Sequence, residues 1–301
     1  MASTNSKLQI QTSLVFAITR ANKFLRHISN RRSLYLVLAA ILFCWNSSIL
    51  WFTHQTLDLQ IFNLLLWLGV FITLEDQLHN LWPKPSPASF IFGSLVLAFL
   101  LSLSPWLINE QDGYIKYLIF PVILVALALL SRPAGNWQLF KKPLLISLLL
   151  PLSGAIEILT SPILNRLTAL LTWVFLYGLG FQSSLSGKQI LLSSGGVTVE
   201  TPCNGVEQLV FSMSMIVIFH FVFPLDNRSN LLKALIGAIL TAVLINVLRI
   251  TLLAYLTTWP NKSGIPAFDF FHGTGGLLFS LVAAFLAGWI YLTLLDRELA
   301  A

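Results

Sequence analysis

Charge is what this sequence lacks most. Only 10% of its 301 residues are Asp, Glu, Lys or Arg, 56% are hydrophobic, and the mean hydropathy is +0.80. A soluble domain carries roughly 25% charged residues, so this chain cannot cover a water-facing surface and most of it must face lipid. Cysteine is almost absent too, with only Cys44 and Cys203. Two cysteines build no disulfide framework. There is no His-Glu-x-x-His pattern, which removes one common helical zinc-protease site, and no cofactor or metal is expected. The sequence has no internal repeat and no polar stretch long enough for a soluble domain. The net charge of +6 does not imply nucleic acid. Six of the eighteen basic residues (Lys7, Arg20, Lys23, Arg26, Arg31 and Arg32) fall in the first 32 positions, with no acid among them. Under the positive-inside rule, residues 1–32 are a basic cytoplasmic segment. That segment is too long, and too far from a small-residue cleavage site, to read as a cleaved signal peptide.

What the sequence does have is long apolar runs. The first extends from Leu34 to Phe52 and the second from the Thr53-His54-Gln55-Thr56 break to Leu74; a polar, proline-rich loop follows to Pro87. The third run is Ala88 to Ile108 and the fourth Tyr114 to Leu130, with the acidic turn Asn109-Glu110-Gln111-Asp112-Gly113 between them. The next loop carries Arg132, Lys141 and Lys142 and no acid, so it reads as cytoplasmic, as four crossings from a cytoplasmic N-terminus also require. Residues 33–142 therefore read as a four-helix membrane region. Residues 143–181 hold two apolar stretches split by Thr160-Ser161-Pro162, with Pro151, Gly154, Glu157 and Arg166 among them. One crossing plus a buried or interfacial segment is the preferred reading, and it puts the next polar stretch outside; two crossings would put it inside. Gln189–Leu192 and Val197–Val199 flank Ser193-Ser194-Gly195-Gly196 and predict a small surface β-hairpin. Spans at 206–223, 234–256 and 275–295 complete a second membrane region, 143–297. The expected fold is an all-α polytopic membrane protein with about eight transmembrane helices and a small extracytoplasmic β-hairpin.

The polar stretch Glu200-Thr201-Pro202-Cys203-Asn204-Gly205-Val206-Glu207 opens the first of the last three spans. Arg249 lies in the far third of the next, antiparallel span, and His272 just before the third. Cys203 and His272 therefore share one membrane face, and Arg249 lies one to two turns deeper, within reach of a snorkelling side chain. Thr201 as N-cap and Pro202 as first helical residue would put Cys203 in the first turn, where the helix dipole favours thiolate. His272 suits proton transfer from the thiol and to a leaving amine. Arg249, costly inside a span, suits a developing oxyanion. Glu207 is one turn after Cys203, either a salt-bridge partner of Arg249 or a support to catalysis. Asn246, one turn before Arg249, is placed to orient it. Gly205 and the run Gly273-Thr274-Gly275-Gly276 give clearance for a neighbouring helix or an extended substrate. Asp269 is a weak candidate to orient His272, and His220 lies at the wrong end of its span. Cys44, in the apolar Ile41-Leu42-Phe43-Cys44-Trp45, reads as inert packing.

Three motifs, Cys203-Asn204-Gly205, Asn246-Val247-Leu248-Arg249 and His272-Gly273-Thr274-Gly275-Gly276, resemble in order and placement the exosortase/archaeosortase family of integral-membrane cysteine transpeptidases, over roughly residues 143–296. Asn204 departs from the Ser or Ala usual there. The Leu74-Glu75-Asp76-Gln77 stretch is similar to the cyanobacterial exosortase branch. The resemblance implies catalytic Cys203, Arg249 and His272, with Glu207, Asn246 and Gly205 in support. It also implies a substrate: exported proteins ending in a sorting motif such as Pro-Glu-Pro, a transmembrane helix and a basic cluster. These are cut through an acyl-enzyme and passed to an acceptor at a plasma (inner) membrane, with the site facing outward. The main rival is a multi-pass transporter or channel with Arg249, Glu207 and His272 lining a polar path.

Overall fold

A computed structural model describes residues 31–54, 57–75, 86–109, 114–131, 137–260 and 263–300. Residues 1–30, 76–85, 110–113 and Arg132 lie outside these, and with them most of the basic N-terminal segment, the Asp76-Gln77 positions and the acidic turn. The described residues are mostly helical, with one small sheet. In order it forms α1 (Arg31–His54), α2 (Leu57–Glu75), α3 (Pro87–Ser102), α4 (Ser104–Asn109), a 3-10 turn (Tyr114–Leu118), α5 (Ile119–Ser131), a second 3-10 turn (Trp137–Phe140), α6 (Lys141–Ser147) and α7 (Leu149–Gly178). Then come β1 (Ser183–Ser186), β2 (Gln189–Leu192), β3 (Gly195–Thr198), a 3-10 turn (Thr201–Cys203), α8 (Val206–Val222), α9 (Arg228–Leu256), α10 (Ile265–His272) and α11 (Gly276–Leu299).

Among the described residues, five helical stretches are long and apolar enough to cross a membrane: Tyr35–Phe52, Leu57–Leu74, Trp137–Gly178, Arg228–Leu256 and Gly276–Leu299. Three further apolar helices, Pro87–Ser102, Ile115–Ser131 and Val206–Val222, are shorter. At 1.5 Å per residue a helix of fewer than 18 residues falls short of the ~30 Å hydrocarbon core. Against the expected count of about eight spans, five helices of full length stand among the described residues.

The third apolar run breaks where Pro105 enters. Proline offers no N–H to the carbonyl four residues back, that of Leu101. The Ser104 hydroxyl donates to that carbonyl at 2.7 Å, and the helix restarts as α4. Pro162 has the opposite outcome. α7 runs straight through it for 30 residues, with Thr160 and Ser161 hydroxyls donating to the carbonyls of Ile156 and Glu157. The two apolar stretches of 143–181 therefore make one path rather than two. Its start lies where the Lys142 ammonium donates to the Phe221 carbonyl near the end of α8 (2.6 Å), and its end leads into the sheet.

Helix contacts are built as lipid requires. Apolar side chains gain little by leaving lipid, so close van der Waals packing and interhelical hydrogen bonds hold the bundle. Ala234, Ala238 and Ala242 lie at four-residue spacing on one face of α9 and are fully buried; the first two share a cluster with Ala287 and Tyr291 of α11. A Cβ on Gly288 would come within 3.0 Å of the Phe219 ring, so α8 and α11 also touch through a small residue. Asn46 of α1 donates to Asn63 of α2 at 2.9 Å, and Asn63 donates to Ser47 at 3.0 Å. One core takes in Leu50, Leu66, Phe120 and Ile123 of the early helices together with Phe211 of α8. Phe92, Phe99, Leu240, Phe285 and Trp289 are more than half exposed and form a lipid-facing exterior. Cys44 is on that exterior of α1, so lipid rather than protein surrounds it.

Candidate active site

The sheet holds the segment that leads to Cys203. It is an antiparallel meander, β1–β2–β3, in which Ser186 pairs with Gln189 and Leu192 with Gly195. Gly187 at φ +63 makes the first tight turn. The expected hairpin corresponds to β2 and β3, but Ser193-Ser194 form its turn and both glycines lie in β3. A Cβ on Gly195 would sit 2.5 Å from the Thr257 hydroxyl, so only glycine lets the strand lie this close to the end of α9. β1 was not foreseen, since Ser183-Ser184-Leu185-Ser186 carries one apolar residue and no run. The sheet's inner face places Ile190 in a cluster with Ala169, Leu176, Val199, Cys203, Ile250, Leu253 and Ala254.

Cys203 does not lie in the first turn of the following span. Thr201-Pro202-Cys203 are a separate 3-10 turn capped by Glu200, whose carbonyl accepts from Cys203 N at 2.8 Å. Gly205, at φ +89, precedes α8. That left-handed conformation cannot continue a right-handed helix, so the turn and the span are distinct elements. Asn204 bridges them. Its Oδ1 accepts from Val206 N (3.0 Å), its Nδ2 donates to Ser161 Oγ (3.0 Å), and its carbonyl accepts from Thr168 Oγ1 (2.9 Å). The residue that departs from the usual Ser or Ala thus ties the cysteine segment to α7.

α9 holds two further parts of the site, one turn apart. Asn246 donates through Nδ2 to the Cys203 carbonyl at 3.1 Å; it fixes the cysteine segment rather than the arginine. Gly205 packs on that amide, where a Cβ would come 2.8 Å from Asn246 Nδ2. Arg249 is 3% exposed, and its Nε and Nη2 donate to the carbonyls of Phe271 (3.4 Å) and His272 (3.0 Å). Those carbonyls end α10, where backbone acceptors are left over and the dipole is negative. A Cβ on Gly276 would lie 2.5 Å from Arg249 Nη2, so the glycine run clears space for the guanidinium itself.

His272 is exposed, and its ring stacks on Phe268 with centroids 5.5 Å apart and planes 8° from parallel. Among the described residues no hydrogen bond joins His272 to the Cys203 thiol or to the Asp269 carboxylate. Cys203 is 5% exposed. Burial pushes its thiol pKa up, the Arg249 guanidinium acts against that, and the Glu200 and Glu207 carboxylates act with it. Glu200 is itself held below the usual carboxylate range by Lys188, 2.8 Å away at the surface. His220, at the far end of α8, contacts the Tyr291 hydroxyl at 3.3 Å, remote from the site as expected.

A cavity of about 460 Å³ opens beside these groups. Arg249, Glu207, His272, Gly273 and Thr274 line one side, together with Thr201 and Val206 from either flank of Cys203; the cysteine itself is not among the lining residues. The other side comes from earlier helices: Asp58 and Phe62 of α2, Tyr117, and Ser153 and Glu157 of α7. Asp58 was missed from the sequence. The available signal was an acid in the first turn of a spanning helix, close to the break before Leu57.

A family model described as transmembrane exosortase matches residues 45–289. No curated protein and no solved structure matches the chain. The match covers most of the helices, the sheet and every residue of the site just described, and the chain belongs to the exosortase family.

Proposed function

We propose that this exosortase is a membrane-embedded cysteine transpeptidase that cleaves C-terminal sorting signals from exported proteins and passes them to an acceptor. The sorting signal in this reading is a Pro-Glu-Pro-type motif, a transmembrane helix and a basic tail. The observation that carries it is the clamp made by α9: Asn246 on the Cys203 carbonyl and, one turn on, Arg249 on the His272 carbonyl. It fixes the backbones that carry the Cys203 thiol and the His272 imidazole beside the cavity to one helix.

In this reaction the Cys203 thiol gives its proton to His272, and sulfur attacks the carbonyl carbon of the scissile amide. The negative charge that develops on oxygen faces the guanidinium of Arg249. Collapse breaks the C–N bond, the leaving amine takes the proton from His272, and a thioester remains. An acceptor nucleophile then loses a proton to His272, displaces the thiol and completes transfer. Burial holds the resting sulfur as thiol, which suits a base-dependent attack. Cys203 and His272 have still to come together, and catalytic hydrogen bonds often tighten only once substrate is bound.

The reading includes a plasma-membrane location with a cytoplasmic N-terminus. Three full-length spans then precede Cys203, counting α6 and α7 as one, and the shorter α3 and α5 add either two passes or none, so the number is odd and puts the site outside. The acid-rich cavity favours one other reading, a transporter whose polar path includes Arg249, Glu207 and His272. Co-expression with a tagged protein bearing a Pro-Glu-Pro motif, helix and basic tail separates the two. Tail removal that stops with Cys203→Ala supports the peptidase, and equal removal in both rejects it.

A further inference from the structure

The imidazole that has to reach Cys203 is parked against another ring. Phe268 and His272 are one turn apart on α10, so both lie on one face of that helix. Their rings stack with centroids 5.5 Å apart and planes 8° from parallel. Phe268 is half-buried and packs against the cluster that holds Cys203 together with Ile190, Ile250, Leu253 and Ala254. Exposure rises in steps from the buried Cys203, through Phe268, to the exposed His272. The backbone does not supply the missing approach. Arg249 donates to the carbonyls of Phe271 and His272, and Gly273 N donates to the Asp269 carbonyl at 2.9 Å, so the end of α10 is tied down. Among the described residues no hydrogen bond holds the imidazole, and the stack is what fixes it. What remains to move is the His272 side chain, turning off the face of Phe268.

We infer that Phe268 is a positioning residue that holds the His272 imidazole off the Cys203 thiol until a substrate chain enters the cavity. The inference rests on the transpeptidase reading above. A stacked aromatic pair favours the parked ring by roughly two- to tenfold, and the population competent for proton transfer falls by the same factor. When the ring turns inward, the S–H bond of Cys203 breaks, the proton passes to an imidazole nitrogen and the electron pair stays on sulfur. His272, Gly273 and Thr274 line the cavity, so a chain seated there competes with Phe268 for the face of the imidazole. The resting protein thereby keeps its base and its nucleophile apart, and occupancy of the cavity brings them together.

The test needs no turnover. Full-length protein carrying Cys44→Ser is purified in detergent, and the rate at which iodoacetamide alkylates Cys203 is measured at neutral pH without substrate. Phe268→Leu keeps an apolar side chain on the Cys203 cluster and removes the ring. It should quicken alkylation by about two- to tenfold, the factor by which the stack favours the parked imidazole. Adding His272→Asn should return the rate to that of His272→Asn alone. Phe268→Tyr restores the flat face and should match the parent protein. A packing role alone predicts otherwise, because a merely loosened thiol reacts faster whether or not residue 272 is a histidine. Phe268→Met repeats the measurement with a longer apolar chain and covers a folding defect in Phe268→Leu. The inference is overturned if neither variant quickens alkylation, if the gain survives His272→Asn, or if Phe268→Tyr gives the same gain. Tail removal that still requires Cys203 alongside such a result would leave the peptidase standing and the role of Phe268 rejected. A His272-dependent gain with no tail removal would keep the thiol–imidazole pair and reject the peptidase.

Discussion

Gly276 marks where the Arg249 guanidinium passes, and a methyl group there would overlap Nη2 at 2.5 Å. Gly276→Ala should therefore push the arginine off the His272 carbonyl. The expected cost is about 1–3 kcal/mol of stability, as for other overpacked sites, with a fall in activity larger than that of Gly273→Ala, whose nearest neighbour is a backbone oxygen at 3.1 Å. Thermal unfolding and tail removal measured on both variants check this. The thiol makes a second prediction at the same scale. Because burial and the Glu200 and Glu207 carboxylates raise its pKa while Arg249 lowers it, alkylation of Cys203 should climb with pH above the ordinary thiol midpoint near ~8.5. Glu207→Gln removes a raising charge and should move the profile to lower pH. Arg249→Gln removes the lowering charge and should move it higher. Iodoacetamide rates on protein with Cys44→Ser give the profile; a shift in the opposite order would contradict the assigned charges.

Between elements, the decisive contacts are polar and few. Asn246→Leu strands the buried Cys203 carbonyl, at about 1–3 kcal/mol. Gly205→Ala puts a side chain at φ +89 against the same amide and should be at least as harmful. Both should loosen the cysteine segment without unfolding the helices, so circular dichroism stays near wild type while Cys203 alkylation quickens. Much of this level was legible from residues. The antiparallel order of the last three spans, and the Asn-x-x-Arg spacing that puts Asn246 and Arg249 on one helix face, needed only helical periodicity. What could not be read was which neighbour each would meet. Asn246 reaches across to Cys203 because Gly205 lets the backbone approach, and that approach is a tertiary fact. The 3-10 turn was hidden for a similar reason: Thr201-Pro202 looks like a helix start, and only the left-handed Gly205 separates it from the span. Pro162 misled in the other direction, since serine and threonine hydroxyls make a helix tolerant of proline in a way that composition does not reveal.

On the scale of the molecule, the sheet and the Asp226–Arg228 turn lie at opposite ends of α8, and Glu298 of the last helix binds the turn's Asp226 and Asn227 amides at 2.7 Å. The ends of the bundle should therefore face opposite compartments. In a background without native cysteines, Ser194→Cys should react with a membrane-impermeant maleimide on intact cells, and Ser229→Cys only after lysis. The reverse pattern would invert the orientation. The cavity also belongs to this scale, because Asp58, Tyr117 and Glu157 reach it from helices that carry none of the three family-like motifs. Sequence motifs pointed to the chemistry on one wall and could not show that the other wall comes from the early helices.

The central claim is that the substrate passes through an acyl group on Cys203. Hydroxylamine tests it directly, since it intercepts a thioester and leaves a hydroxamate on the released protein. Wild-type membranes supplied with the tagged substrate and hydroxylamine should yield product whose new C-terminus is a hydroxamate by mass spectrometry, and Cys203→Ala membranes should yield none. Hydroxamate formed equally in the Cys203→Ala membranes, or wild-type product carrying only a free carboxylate at its new C-terminus at saturating hydroxylamine, would contradict the account.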